Sequence, residues 1–204
     1  MTTTQRYTDY DTWAWLYNET MGPDYGKAQL GFLRRALLPG LPPNAAILDL
    51  CCGTGQLIQP LLAAGYRVTG LDGSEQMLAY ARQNAPQATY LLEDARRFEP
   101  PEQFDGAFST SASLNHIMTL ADLTLVFRNV HRALRSGGSF AFDLNHPEQM
   151  QKWWRGRLVE GEISSGYAWR LTPEYQPECS EGAFHVEIFQ AQPPNSRLAR
   201  LAQP

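Results

Sequence analysis

Residues 46–57 read Ala46-Ile47-Leu48-Asp49-Leu50-Cys51-Cys52-Gly53-Thr54-Gly55-Gln56-Leu57. A short apolar run enters a Gly-x-Gly turn, and a stretch able to start a helix follows. Glycine is needed where a backbone bends sharply and a ligand must approach without a Cβ in the way. About twenty residues beyond the first of these glycines, Val68-Thr69-Gly70-Leu71-Asp72 repeats the apolar run and ends in a carboxylate. A carboxylate at the end of a second strand can accept hydrogen bonds from both ribose hydroxyls. Loop and carboxylate together predict an adenosine-containing ligand at the carboxyl edge of a parallel sheet. The plain alternative, a tight strand–helix turn without a ligand, accounts for the glycines but not for Asp72.

Working outward, five short apolar runs predict strands: Ala46–Cys51, Arg67–Leu71, Thr89–Leu92, Gly106–Ser109 and Phe140–Leu144. They are apolar on both faces, as strands buried in a parallel sheet are. Ser74 is placed to cap a helix carrying Met77, Leu78 and Ala81. Thr119, with Asp122 three residues on, begins another, along which Leu120, Leu123, Phe127, Val130 and Leu134 keep helical spacing. Arg132 and Arg135 suit its negative end, and Gly137-Gly138 is read as its stop. Pro100-Pro101 breaks the crossover between the third and fourth strands. The alternation predicts an α/β fold: a doubly wound, mostly parallel Rossmann-like sheet with helices on both faces. After residue 146 the pattern changes to Arg157–Ile163, Tyr167–Leu171 and Phe184–Gln190, read as a C-terminal antiparallel β meander, with a tail after Pro194. The expected division is 1–146 as the core, with an aromatic helical opening segment, and 147–204 as the appendage.

The 204 residues carry 17 Lys+Arg and 21 Asp+Glu, a net charge of −4. That balance argues against a protein built to grip nucleic-acid phosphates. Cys51, Cys52 and Cys179 form no paired CxxC, so neither a structural zinc site nor any other metal site is expected. No apolar run approaches a membrane span, and the first residues lack the apolar centre of a signal peptide. A cytoplasmic protein with reduced thiols and no membrane partner is the expectation.

Two details bear on the ligand. A dinucleotide site favours a third glycine in Gly-x-Gly-x-x-Gly, and that position is Ile58. Asp49 lies within a buried strand, where a carboxylate is costly unless it meets a cation or donors. An ammonium on the ligand, or the loop's own N–H groups, would satisfy it, and the pattern fits a nucleoside bearing an amino acid better than one bearing a pyrophosphate. Asp49-Leu-Cys-Cys-Gly-Thr-Gly55 resembles the first motif of the class I S-adenosylmethionine-dependent methyltransferases. Gly70-Leu-Asp-Gly-Ser-Glu-Gln-Met-Leu78 resembles the second. Glu93-Asp94-Ala95, Phe104-Asp105-Gly-Ala-Phe-Ser109 and Leu134-Arg-Ser-Gly-Gly138 follow in the family's order. Tyr10-Asp11-x-Trp13-Ala14-x-x-Tyr17 is similar to the aromatic opening helix of its small-molecule members.

The resemblance implies S-adenosyl-L-methionine as cofactor, S-adenosylhomocysteine as product and a small-molecule methyl acceptor. It implies Gly53 and Gly55 beneath the methionyl and adenosyl parts, Asp49 near the ammonium, and Asp72 on the ribose. Asp94 would accept from the adenine amine, with Ala95 offering a backbone N–H. Gly73 and Met77 would flank ribose and adenine, and Ser109 would touch the methionyl part through its backbone. Cys51 belongs to the loop, and Tyr10 and Tyr17 would either close over the cofactor from the opening helix or pack in the core beside Trp13 and Leu16.

Methyl transfer from a sulfonium asks chiefly for alignment and exclusion of water, with a proton removed for some acceptors. His116, after the fourth strand, is the candidate base because imidazole titrates near neutrality; Tyr10 is the second catalytic candidate. His146 is a weaker candidate, and His131 and His185 read as structural. Trp153 and Trp154 either wall a substrate pocket or bury the late sheet. The family's final helix and hairpin are expected to be missing. That leaves a non-catalytic or truncated cofactor-binding module as one alternative, and an edge able to pair into a homodimer. A nicotinamide-dependent oxidoreductase is the other, opposed by Ile58 and Asp49.

Overall fold

Every residue of the apolar run Ala46–Leu50 is buried, and the run forms strand β1. Side chains alternate across a strand. Ala46, Leu48 and Leu50 therefore enter one core cluster with Phe98, Phe104 and Val130. Ile47 enters another with Leu33, Leu61 and Phe108. A strand that must satisfy two cores has no polar face, which is why the sequence shows no alternation there. Asp49 shares the face of Ile47.

The computed structural model describes residues 9–153, 158–163 and 166–190. They fall into two compact units, divided between Leu144 and Asn145. In the first, β1 is joined by β2 (Arg67–Asp72), β3 (Thr89–Leu92), β4 (Phe104–Ser109) and β5 (Leu134–Phe142). All pairings are parallel, in the order β3-β2-β1-β4-β5. The order reverses between β1 and β4, the place where open α/β sheets leave a crevice at their carboxyl edge. The predicted doubly wound sheet is present.

Helices α1 (Ala14–Glu19) and α2 (Met21–Ala36) precede β1, and α3 (Ile58–Ala63) follows the glycine loop. α4 (Glu75–Asn84) starts where Ser74 Oγ accepts the Met77 N–H at 3.1 Å, and it buries Met77, Leu78 and Ala81. α5 (Leu120–Ala133) starts where Thr119 Oγ1 accepts the Asp122 N–H at 3.0 Å. The Asp122 carboxylate turns to Arg96, at 3.5 Å. Thr119→Ala is expected to cost about 1 kcal/mol. At this chain length that lowers the thermal midpoint by roughly 2–4 °C, and an unchanged midpoint would mean the cap contributes nothing.

One boundary differs from the sequence reading. α5 stops at Ala133, and β5 begins at Leu134 with no intervening turn, because Leu134 already pairs with Phe104. Gly137, at φ +83°, lies inside β5, where the ladder to β4 shifts register between Phe104 and Gly106. It serves a bulge and not a helix stop. Between β3 and β4 the described chain crosses without a helix, as Pro100-Pro101 requires.

The second unit has α6 (Pro147–Trp153) and an antiparallel sheet, in the order β6 (Val159–Ile163), β7 (Tyr167–Gln176), β8 (Glu181–Gln190). β7 runs on past Leu171, where the sequence reading ended it, and through Pro173. Pro173 lies beyond the last β6 pairing at Leu171, so only the β8 side of β7 is paired there. Trp154, Arg157 and the tail after Gln190 lie outside the described residues. Among those described, no helix is long and apolar enough to cross a membrane.

Candidate active site

The glycine loop leaves β1 through backbone that few residues adopt: Cys51 has φ +62°, Gly53 +54° and Gly55 +74°. Gly55 also lies close to α4, where a Cβ would stand 3.1 Å from Ala81 Cβ and 3.2 Å from Ala81 Cα. The loop is fastened from the neighbouring strand. Asp72 Oδ2 accepts the Gly53 N–H at 2.8 Å, and Oδ1 accepts the Ser74 N–H at 2.9 Å. One carboxylate thus joins the first motif to the start of α4. Burial pushes its pKa up, against the opposing pull of those two N–H groups. A second carboxylate, Asp11, accepts from Ser74 Oγ at 2.5 Å and the Gln76 N–H at 3.0 Å. The opening segment is so anchored at the positive end of α4.

Around this junction the loops after β1, β2, β3 and β4 enclose a cavity of about 430 Å³. Tyr10, Tyr17, Cys51, Gly53, Asp72, Gly73, Met77, Asp94, Ala95 and His116, all singled out in the sequence, line it. Three nominated residues do not. Gly55 faces Ala81 behind the loop. Ser109 is fully buried, and its carbonyl accepts the Asp143 N–H at 3.3 Å, so its backbone is used in the sheet. Thr110 and Ser111, the next two residues, reach the site in its place. Asp49 lies at an annex of about 40 Å³, shared with Tyr17, Gly22, Gly26 and Thr54.

The annex fits a cationic group. Asp49 is 3% exposed, and burial, with the Asp72 charge adding to it, holds its pKa well above the ordinary value. Among the described residues no cationic side chain pairs with it. Thr54 Oγ1, on the same annex, is buried without a hydrogen-bond partner. An ammonium would donate to both. α2 comes close enough to shape this annex because Gly22 and Gly26 stand one turn apart. A Cβ on Gly26 would meet Gln56 Cβ at 2.8 Å.

At the opposite end, Asp94 is already engaged. It accepts the Arg96 N–H at 2.9 Å and Arg96 Nε at 2.9 Å, and Arg97 lies 3.7 Å away. Burial alone would raise its pKa, but the Arg96 hydrogen bonds outweigh it and hold the carboxyl below the ordinary range. An amine reaching Asp94 must share it with Arg96, a contact the sequence reading missed.

The two catalytic candidates, 106 residues apart, meet. Tyr10 Oη lies 3.2 Å from His116 Nε2, and their rings are edge-on at 5.6 Å. Tyr10 stacks on Trp13 at 4.8 Å and meets Tyr17 edge-on at 6.2 Å. Burial lowers the His116 pKa and raises that of Tyr10. Near neutrality the imidazole is uncharged and Tyr10 keeps its proton, so the two share one hydrogen bond whose direction follows the imidazole tautomer. Burial raises the thiol pKa of Cys51 and Cys52 as well, the state of inert loop residues. His146 receives the Glu148 N–H at the start of α6, His131 lies within α5, and His185 faces Glu174 at 3.8 Å. Ser111, Ser113 and Ile117, from the loop after the fourth strand that the sequence offers as a source of site residues, line the cavity with His116. Sequence reasoning missed Tyr25, which nothing in its local pattern marks and which α2 brings to the cavity wall.

Residues 47–138 match the methyltransferase domain family. An uncharacterized methyltransferase of Synechocystis sp. is 38% identical over 64% of this chain and 62% of its own length. The 2-phytyl-1,4-naphtoquinone methyltransferase of Thermosynechococcus vestitus is 36% identical over 66% of this chain and 63% of its own. The chain thus spans less than two thirds of these relatives. The fold is also that of the CcbJ methyltransferase of Streptomyces caelestis, with a TM-score of 0.68 at 20% identity over 97% of this chain and 85% of that one. From the glycine loop to β5, on a sheet ordered β3-β2-β1-β4-β5, residues 47–138 thus form a methyltransferase domain, in the fold of the class I S-adenosylmethionine-dependent methyltransferases.

Proposed function

We propose that this protein transfers a methyl group from S-adenosyl-L-methionine to a small-molecule acceptor by in-line displacement, releasing S-adenosylhomocysteine. The observation that carries the reading is the unpaired, buried Asp49 beside the orphaned Thr54 hydroxyl, one loop away from Asp72. Those groups suit the ammonium and ribose of one ligand. The naphtoquinone relative supports a small acceptor. Ile58, fully buried where a dinucleotide fingerprint has its third glycine, speaks for this reading over a nicotinamide one.

The bound sulfonium supplies an electrophilic methyl group and a neutral leaving thioether. The chain's residues have three tasks. Asp49, Asp72 and the loop fix the donor. Tyr10, stacked on Trp13, and Tyr17 cover it and exclude water. His116, uncharged near neutrality, takes the acceptor's proton at Nε2 once Tyr10 gives up that position. Tyr10, with its raised pKa, orients His116 and is not itself the base.

Isothermal titration of the wild-type chain with S-adenosylmethionine, S-adenosylhomocysteine and NAD is the direct test. Binding of the first two but not the third is expected, and failure of both adenosyl ligands to bind the folded chain overturns the reading. Asp49→Asn separates stability from function. It removes a buried charge, so the ligand-free protein should melt higher at neutral pH. It also removes the ammonium's partner, so affinity should fall at least about tenfold. The sign follows from the raised pKa: folding favours protonated Asp49, and its penalty grows as pH rises through that value. The gain in melting temperature should therefore shrink as the pH is lowered. Lower stability with unchanged affinity would remove Asp49 from the site.

A further inference from the structure

We propose that Asp143 is a positioning residue of this site: its carboxylate holds the left-handed Ser111–Ala112 backbone and thereby sets His116 against Tyr10. The inference rests on the reading of His116 as proton acceptor given above.

Among the described residues five non-glycine positions have positive φ, and only Ser111 (+60°) and Ala112 (+57°) are adjacent. Two consecutive left-handed side-chain-bearing residues are unfavourable unless surrounding groups impose them. Asp143 imposes them. Its Oδ2 accepts the Ser111 N–H at 3.1 Å, and its Oδ1 accepts the Ala112 N–H at 2.8 Å. Gln29 Nε2, from α2, donates to Oδ2 at 3.0 Å and steadies the carboxylate. The Asp143 N–H meanwhile continues the sheet to Ser109 O. One residue at the end of β5 therefore receives the loop that leaves β4.

That loop leads directly to His116. Ala112 precedes the single turn Ser113–His116, and its carbonyl accepts the Asn115 N–H at 2.9 Å. Leu114, fully buried, pins the turn to the core. Ser111, Ser113 and His116 line the cavity; Asp143 does not. It acts on the site through the backbone alone.

The experiment uses the full chain, with histidine and tyrosine isotopically labelled. The nuclear Overhauser contact between the His116 and Tyr10 rings is recorded in the wild type, Asp143→Asn and Asp143→Ala. S-adenosylhomocysteine titration and thermal unfolding are run on the same samples. The contact should be lost in Asp143→Ala and partly kept in Asp143→Asn, which retains one acceptor oxygen. A folded Asp143→Ala that melts lower but keeps the contact overturns the proposal, since that is what a merely structural carboxylate would do. If Asp143→Ala does not fold, Gln29→Ala serves: a weakened contact supports the proposal and an unaltered one overturns it. Wild type that binds no S-adenosylhomocysteine would sink the cofactor reading, while the ring contact would still be read.

Discussion

Asp72→Ala is expected to weaken S-adenosylhomocysteine binding between tenfold and about a thousandfold, roughly 1.4–4 kcal/mol. Two losses add. The ribose hydroxyls lose a charged acceptor, and such hydrogen bonds contribute about 1.5–3 kcal/mol. The clasp between the Gly53 and Ser74 N–H groups also opens, so the loop loses the partner that holds it toward α4. Stability should change much less, because losing those two bonds is offset by relief of a buried charge. Asp72→Asn, which keeps one acceptor oxygen, should fall between wild type and alanine. A pH dependence follows. Burial raises the Asp72 pKa, so affinity should begin to fail, as pH drops, at a higher pH than an ordinary aspartate would set. The ligand-free protein has the opposite slope: folding favours the protonated carboxyl, and that contribution fades as pH rises through the raised value. Titration calorimetry across pH on wild type and both variants reads all of this. Undiminished affinity in Asp72→Ala would end the ribose assignment.

Gly55→Ala should be the most damaging single change to stability in the loop. A side chain at φ +74° costs about 1–2 kcal/mol by itself. The new Cβ would also stand 3.1 Å from Ala81 Cβ and 3.2 Å from Ala81 Cα, so helix backbone must move. Overpacking of this kind adds about 1–3 kcal/mol. Together these predict a thermal midpoint lower by about 5–15 °C. Gly53→Ala is the control. It carries similar strain at φ +54°, but its nearest atom is Tyr17 Cε1 at 3.8 Å. It should lose less stability than Gly55→Ala and proportionally more affinity, since Gly53 lines the cavity and Gly55 does not. Thermal unfolding and titration of both variants decide it. Equal midpoints would show that the α4 contact is unimportant.

The two glycines illustrate how far the motif could be read. Its spacing declares that both are needed, but not that one faces the ligand and the other faces a helix. The same division runs through the site. Asp49, Asp72 and the strand-end positions were legible because they follow short apolar runs whose two-faced burial leaves a plain signature. Ser109 ends β4 as its apolar run predicts, but Ser111 and Ser113 line the cavity, because the path beyond the strand is set by hydrogen bonds to Asp143 and not by the run's own side chains. The Gly137 reading failed for a like reason: pairing between Leu134 and Phe104 ends α5 before the glycines are reached.

The sequence by itself determined the alternation of strands and helices, the caps at Ser74 and Thr119, the edge of the sheet that carries the cavity, and the methyltransferase motifs. Each depends on local periodicity, turn chemistry or fixed spacing, which a linear chain displays. Only the tertiary structure decided that Tyr10 meets His116, that Arg96 occupies Asp94, that Asp49 faces an annex shaped by Gly22 and Gly26, and that Asp143 holds Ser111 and Ala112. These are contacts between segments far apart in the chain. Their partners are chosen by strand order and by helix packing over the sheet, and no local pattern encodes them.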